Sequence, residues 1–191
     1  MSSFSLTRRS LLSAGLATPL AALARPAAAA GDDGRFHEAW FVETFLDLAE
    51  DVADATARGR RYAVVWEQRG CPYCRDMHTV HLADPGIVDY LRANFDILQL
   101  DLHGAREVTD FDGTELTEKA FAARYAVRLT PTVQFFPETR AGLATRSPAA
   151  REVARMPGLL PPRDFLAMFR FVRDRAYETT SFPDYLKAHA G

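Results

Sequence analysis

The sequence predicts a single α/β sandwich. Compact runs of β-branched and aromatic residues alternate with longer stretches whose apolar side chains recur at helical spacing, the pattern of strands joined by helices. The chain has 191 residues and is 48% hydrophobic, enough apolar material for one full core. Its two cysteines stand three positions apart, so no disulfide framework spread along the chain staples the fold.

Residues 36–58 carry Trp40, Phe41, Phe45, Leu48, Ala49 and Val52 at helical spacing and end near Gly59, which predicts a first helix. Residues 62–66 read as a buried strand, and a polar turn over 67–70 leads to Cys71. A helix is expected over 71–81, with a break near Asp84-Pro85-Gly86 and a further helix over 87–94. Residues 95–102 alternate apolar and polar, as a second strand does, and 103–114 form a loop or small hairpin turning at Asp112-Gly113. Residues 115–125 predict a helix with Leu116, Ala120 and Phe121 inward. Thr130-Pro131-Thr132 leads into a third strand over 133–136. Residues 138–150 read as an exposed polar loop, and 152–156 as a fourth strand before Pro157-Gly158. An amphipathic helix over 163–177 turns Phe165, Leu166, Phe169 and Val172 inward, and Tyr185-Leu186 adds a last turn.

The first thirty residues stand apart from this pattern. Arg8-Arg9 directly precede an apolar run from Leu11 to Leu23, followed by Arg25-Pro26 and the small residues Ala27 to Ala30. This reads as a twin-arginine export signal over residues 1–30, with the folded domain over 31–191. An ordinary secretory signal and an uncleaved anchor are the alternatives. Cleavage after Ala30 removes three of the 23 basic residues and none of the 25 acidic ones, leaving a net charge of −5. Such a chain has no basic surplus for nucleic acid. Export also places the cysteines outside the glutathione-buffered cytosol, where disulfide chemistry is available.

Cys71-Pro72-Tyr73-Cys74 lies where a strand and turn enter a helix. Cys71 at the helix N-cap meets unpaired N–H groups and the positive end of the helix dipole, which favour a thiolate. Pro72 fits the first helical position, whose N–H lacks a partner in any case. Cys74 falls on the same helix face, within reach of Cys71. The pattern assigns attack on a disulfide to Cys71 and resolution of the mixed disulfide to Cys74, an exchange that needs no cofactor. A purely structural 71–74 bond closes too short a loop to constrain the unfolded chain much. Arg75 stands where c-type haem attachment requires a histidine. A metal-binding or metal-delivery protein is the rival reading, with Cys71, Cys74 and His78 as ligands and His81 or His103 as a fourth. His78, one turn past Cys74, is otherwise a modulator of thiol pKa or a solvated side chain. Pro131, at the start of a strand, is the second part of the constellation.

The strand–CxxC–helix start and Thr130-Pro131-Thr132 before Val133 to Phe136 resemble the thioredoxin superfamily. The run Trp66 to Cys74, with Met77-His78, Leu82-Ala83-Asp84-Pro85, Arg106 to Gly113 and Val153 to Gly158, resembles more narrowly the SoxW-like periplasmic thioredoxin-like proteins of sulfur-oxidation gene clusters. The resemblance runs over most of residues 35–190. It implies a thioredoxin-like fold, a central mixed sheet of about four to five strands flanked by helices. It implies Pro131 in cis beside the cysteines, with Thr130, Pro131, Pro72 and Tyr73 receiving the substrate chain. It further implies a monomeric periplasmic reductant, fed by a membrane thiol transporter of the CcdA/DsbD kind. Its client would be a cysteine-bearing periplasmic protein such as a sulfur carrier.

One departure bears on mechanism. Thioredoxins place a buried acid six residues before the first cysteine, and here that position is Val65. Glu67, two residues on and on the same strand face, replaces it if buried and is a strand-end polar residue if not. Thr130 before the proline resembles periplasmic disulfide isomerases, so an oxidase or isomerase stands as the alternative direction of exchange.

Overall fold

The computed structural model describes residues 30–189. The export-signal reading therefore lies outside the described residues, apart from Ala30. Strand β1 (Arg61–Glu67) runs through the middle of a four-stranded mixed sheet of order β2-β1-β5-β6, with β2 spanning Phe95–Asp101, β5 Thr132–Phe135 and β6 Ala154–Pro157. β1 and β2 are parallel, Val65 facing Gln99 and Glu67 facing Asp101; β5 is antiparallel to both β1 and β6. A two-stranded hairpin, β3 (Glu107–Thr109) with β4 (Glu115–Thr117), lies apart from this sheet.

Side chains alternate across β1, and both faces are covered. Ala63 and Val65 join a core with Met77, Leu91, Phe135 and Phe169 beneath helices α3 (Pro85–Asn94) and α6 (Pro162–Arg173). Tyr62, Val64 and Trp66 join a second core with Leu48, Val52 and Phe121 beneath α1 (Leu48–Ala57) and α4 (Glu118–Arg124). That two-sided burial explains why β1 reads as an unbroken apolar run.

Between β1 and α3 lies α2 (Pro72–Asp76), which passes into a π turn over Met77–His81, where the Leu82 N–H reaches the Met77 carbonyl at 2.8 Å. The wider turn carries His78 and His81 to buried positions. Helix α5 (Pro148–Arg151) precedes β6, and α7 (Phe182–Ala188) closes the described chain.

Four expectations are corrected. Residues 36–47 are not helical: Asp47 is the N-cap of α1, taking the Ala49 and Glu50 N–H groups, and Leu46 before it sits at φ 62°. The segment 30–47 is instead an extended strap, whose Val42 N–H bonds the Ile97 carbonyl at the edge of β2. Trp40 and Phe41 still pack on the core, but Phe45 is 98% exposed. Residues 115–117 are strand β4, since Thr117 caps α4 and starts it at Glu118. Residues 138–150 hold a buried Leu143 and the start of α5, and the adjacent Arg151 is buried against Asp110. The last long helix ends at Arg173, because Arg175 turns left-handed at φ 56°.

Candidate active site

Gly70, at φ 73°, turns the chain out of β1, and Cys71 is then the N-cap of α2 with Pro72 at the first helical position. The two cysteines form a disulfide with a Cα–Cα distance of 5.2 Å, and the Cys74 N–H donates to Cys71 Sγ at 3.1 Å. A sulfur at this end of a helix is held by a backbone donor, which favours the thiolate once the bond opens. Cys71 is 8% exposed and Cys74 only 2%, so an incoming sulfur meets Cys71 first.

The Thr130–Pro131 peptide is cis. Thr130 Oγ1 donates to Cys71 Sγ at 3.3 Å, and the Thr130 carbonyl lies 3.6 Å from the same sulfur. Tyr73 and Leu129 stand exposed on this side of the molecule. The structure thus brings Pro72, Tyr73, Thr130 and Pro131 together around the disulfide.

Behind Cys74 the site is charged and closed. Glu67 is fully buried, which decides between its two readings: it is an interior acid and not a solvated strand end. Its Oε1 receives Gln99 Nε2 at 2.9 Å and lies 2.9 Å from His78 Nε2. His78 Nδ1 lies 2.9 Å from Glu38 Oε1. Burial by itself pulls the His78 pKa down, but the hydrogen bonds and charges of Glu38 and Glu67 overcome it and raise the value to about 9. His78 is therefore an imidazolium at neutral pH, with both ring N–H groups donating to carboxylates. Glu67 Oε2 is buried and has no protein partner. It lines, with Cys71 and Cys74, a cavity of about 190 Å³.

The metal reading is not supported by this arrangement. Both nitrogens of His78 are taken by carboxylates, His81 Nε2 lies 2.8 Å from the Leu160 carbonyl, and His103 contacts Gln68. No group of three or more His, Cys, Asp and Glu residues suited to a metal occurs among the described residues.

The thioredoxin-like domain profile matches residues 48–173, well over half the chain. The chain belongs to the thioredoxin-like family. Among solved structures, this thioredoxin-like chain is similar to a thioredoxin-fold protein from Helicobacter pylori, at 18% identity and a TM-score of 0.53, over 73% of this chain and 96% of that one. It is also similar to a thioredoxin from Thermus thermophilus, at 31% identity and a TM-score of 0.48, over 66% of this chain and 83% of that one. A search of curated proteins finds no match. The thioredoxin-like fold and the close Cys71–Cys74 pair fit a thiol–disulfide oxidoreductase.

Glu38 and Gln99 escaped the sequence reading. Glu38 lies forty positions from His78, on a stretch expected to be helical, and no spacing rule connects the two. Gln99 carried a faint signal, a polar residue in an otherwise apolar stretch of β2, opposite Val65 of the parallel neighbour.

Proposed function

We propose that this thioredoxin-like protein is a periplasmic reductase of a partner protein's cysteine. The observation that carries the reading is Cys71 at the α2 N-cap, bonded to Cys74 and touched by Thr130 of the cis-proline loop. In the reduced protein the Cys71 thiolate attacks one sulfur of the partner's disulfide or persulfide-type adduct, and the departing sulfur takes the electron pair. Cys74 loses its proton and attacks Cys71 Sγ, which breaks the mixed disulfide and leaves the partner's sulfur as a thiolate. The partner gains two electrons, and the Cys71–Cys74 bond re-forms. A membrane thiol transporter of the CcdA/DsbD kind would return two electrons by the reverse exchange. The twin-arginine pattern at Arg8-Arg9 supports the periplasmic setting, and the SoxW-like motifs support a sulfur-carrier protein as client.

The test is the reduction potential of the protein equilibrated against thiol buffers, with insulin reduction as the activity. A potential near that of thioredoxin, about −270 mV, supports the reductase, and Cys71→Ser then abolishes insulin reduction. A value near about −120 mV makes the protein an oxidant and reverses the direction of electron flow. The absence of any two-electron transition would remove the exchange reading altogether.

A further inference from the structure

The strap over residues 30–47 adds a wall to the cysteine site from outside the matched domain, which begins at residue 48. Arg35 and Phe36 line the cavity of about 190 Å³ together with Glu67, Cys71, Cys74 and Arg75. The Asp33 carbonyl accepts from Arg69 Nε at 2.9 Å, and the Phe36 carbonyl accepts from Gln99 Nε2 at 2.7 Å, which holds the strap in place. Two polar atoms of the lining are buried without a protein partner, one of each kind. Glu67 Oε1 meets His78 and Gln99, and Oε2 is left as an acceptor. Arg35 gives Nε and Nη2 to Asp33, with Asp101 3.7 Å from Nε, and Nη1 is left as a donor. Neither atom satisfies the other. A buried donor or acceptor without a partner is costly, so the pair marks a place for a group that meets both.

We propose that this cavity binds one half of a free amino-acid disulfide, cystine, so that the protein reduces a small zwitterionic disulfide as well as a partner protein. The inference rests on the exchange chemistry assigned to Cys71 and Cys74. A ligand with only an anionic group would leave the Glu67 acceptor unpaired, and one with only a cationic group would leave the Arg35 donor unpaired. An amino acid meets both. Its α-carboxylate accepts from Arg35 Nη1, and its α-ammonium donates to Glu67 Oε2. Arg75, exposed at the rim and bonded to Asp76 through Nε and Nη2, adds positive charge on the carboxylate side. His78 is committed to Glu38 and Glu67 Oε1, and Arg69 to the strap, so neither competes for the ligand. The cavity has room for about six water molecules at about 30 Å³ of liquid volume each. Half a cystine fills that space, and the tripeptide glutathione exceeds it.

The chemistry follows from that placement. In the reduced protein the Cys71 thiolate attacks one sulfur of cystine and the S–S bond breaks. The first cysteine departs with the electron pair and takes a proton from solvent. The second stays bonded to Cys71 Sγ. Its amino and carboxyl groups branch from the carbon next to the one that carries sulfur, which puts them in the cavity beside Cys71. Cys74 then releases its proton to solvent and attacks Cys71 Sγ. The second cysteine leaves as a thiolate, and the Cys71–Cys74 bond forms. Cystine gains two electrons and the protein loses two.

The test is the rate at which the reduced full-length protein reduces cystine, cystine dimethyl ester, N,N′-diacetylcystine and hydroxyethyl disulfide at neutral pH. Each rate constant is divided by that of dithiothreitol with the same disulfide, which removes differences in intrinsic reactivity. Cystine should exceed each of the others by about tenfold or more, the worth of one hydrogen bond to a charged group. In Arg35→Gln the ratio of cystine to dimethyl ester should fall by about tenfold. A general disturbance of the cysteine pair cancels in that ratio, and the substrate series on the unmodified protein still decides if the variant fails to fold. Normalised rates that agree within about twofold overturn the site and leave the cavity to solvent. A preference for the ester or the diacetyl compound over cystine overturns the zwitterion, and faster reduction of glutathione disulfide overturns the size limit. A ratio unchanged in folded Arg35→Gln overturns the role of the strap. Failure to reduce insulin along with all the small disulfides would instead overturn the exchange reading.

Discussion

His78 Nε2 lies 2.9 Å from Glu67 Oε1, with both side chains shut away from solvent on opposite elements, one on the π turn after α2 and the other at the end of β1. An ion pair so deeply placed persists only where further hydrogen bonds hold its members. Here Glu38 and Gln99 provide them, one on each partner. The pair joins the helix that carries the cysteines to the strand that precedes them, so it belongs to the fold and to the site together.

The histidine makes stability depend on alkaline pH. Its folded-state pKa, about 9, lies above the unfolded value near 6.5, so the folded protein holds the proton more tightly. The associated stabilisation is fully present below about pH 6.5 and is lost as pH rises through 9, an effect on the order of 3 kcal/mol. Denaturant unfolding of the oxidised protein at pH 6, 7.5 and 9 checks this; a flat profile across that range counts against an imidazolium at position 78.

Asp51 carries the same sign for a different reason. Burial raises its carboxyl to about 6, although Tyr62 and Thr44 donate hydrogen bonds that favour the ionised form. Protonation is therefore favoured by folding, and this contribution is present below about pH 4 and lost as pH rises through 6. Asp51→Asn, which keeps an acceptor for Tyr62 and Thr44, should stabilise the protein at pH 7 by about 1–2 kcal/mol and change little near pH 4. Melting temperatures at the two pH values decide it.

Arg151 fastens the segment before β6 to the hairpin. Its guanidinium meets Asp110 at 2.7 Å, Asp112 at 2.9 Å and the Leu143 carbonyl at 2.9 Å, all with almost no solvent contact at the arginine. Arg151→Ala removes the closer of the two cations on the fully buried Asp110 and leaves Arg124 Nε at 3.1 Å, so the loss should fall at or below the low end for breaking a buried pair, about 3 kcal/mol. Asp110→Asn in the same chain should recover part of that loss, because the buried carboxylate left with Arg124 alone is then replaced by a neutral amide. Chemical denaturation of the two variants and the double variant measures the coupling.

Cys74→Ser should trap the partner. With the resolving sulfur gone, Cys71 still attacks and the mixed disulfide persists. Mass spectrometry of the variant after reaction with a disulfide-bearing protein should show a covalent adduct that a small dithiol removes. Cys71→Ser should give none, because Cys74 is the more deeply buried sulfur.

The sequence by itself determined the parts that local physics controls. The run 62–66 reads as a buried strand and is one, Cys71-Pro72 reads as a helix start and is one, and the expected break at Asp84-Pro85-Gly86 is itself the start of the next helix, two residues before the expected Ile87, with Asp84 as its cap. The cysteine pair was legible because it carries its meaning within four residues, whereas the cis form of Pro131 beside it followed only from the family resemblance. The strap was misread because Trp40, Phe41 and Val52 have helical spacing, and spacing does not say whether a helix or an extended chain delivers those side chains to the core. Leu46 at φ 62° and Asp47 as a cap decided that question, and both depend on the strap lying against β2 and the hairpin. Glu67 could be named from its strand face but not given its ionisation partner. Glu38, His78 and Gln99 reach it from three other segments, and burial together with charge pairing exists only once those segments meet.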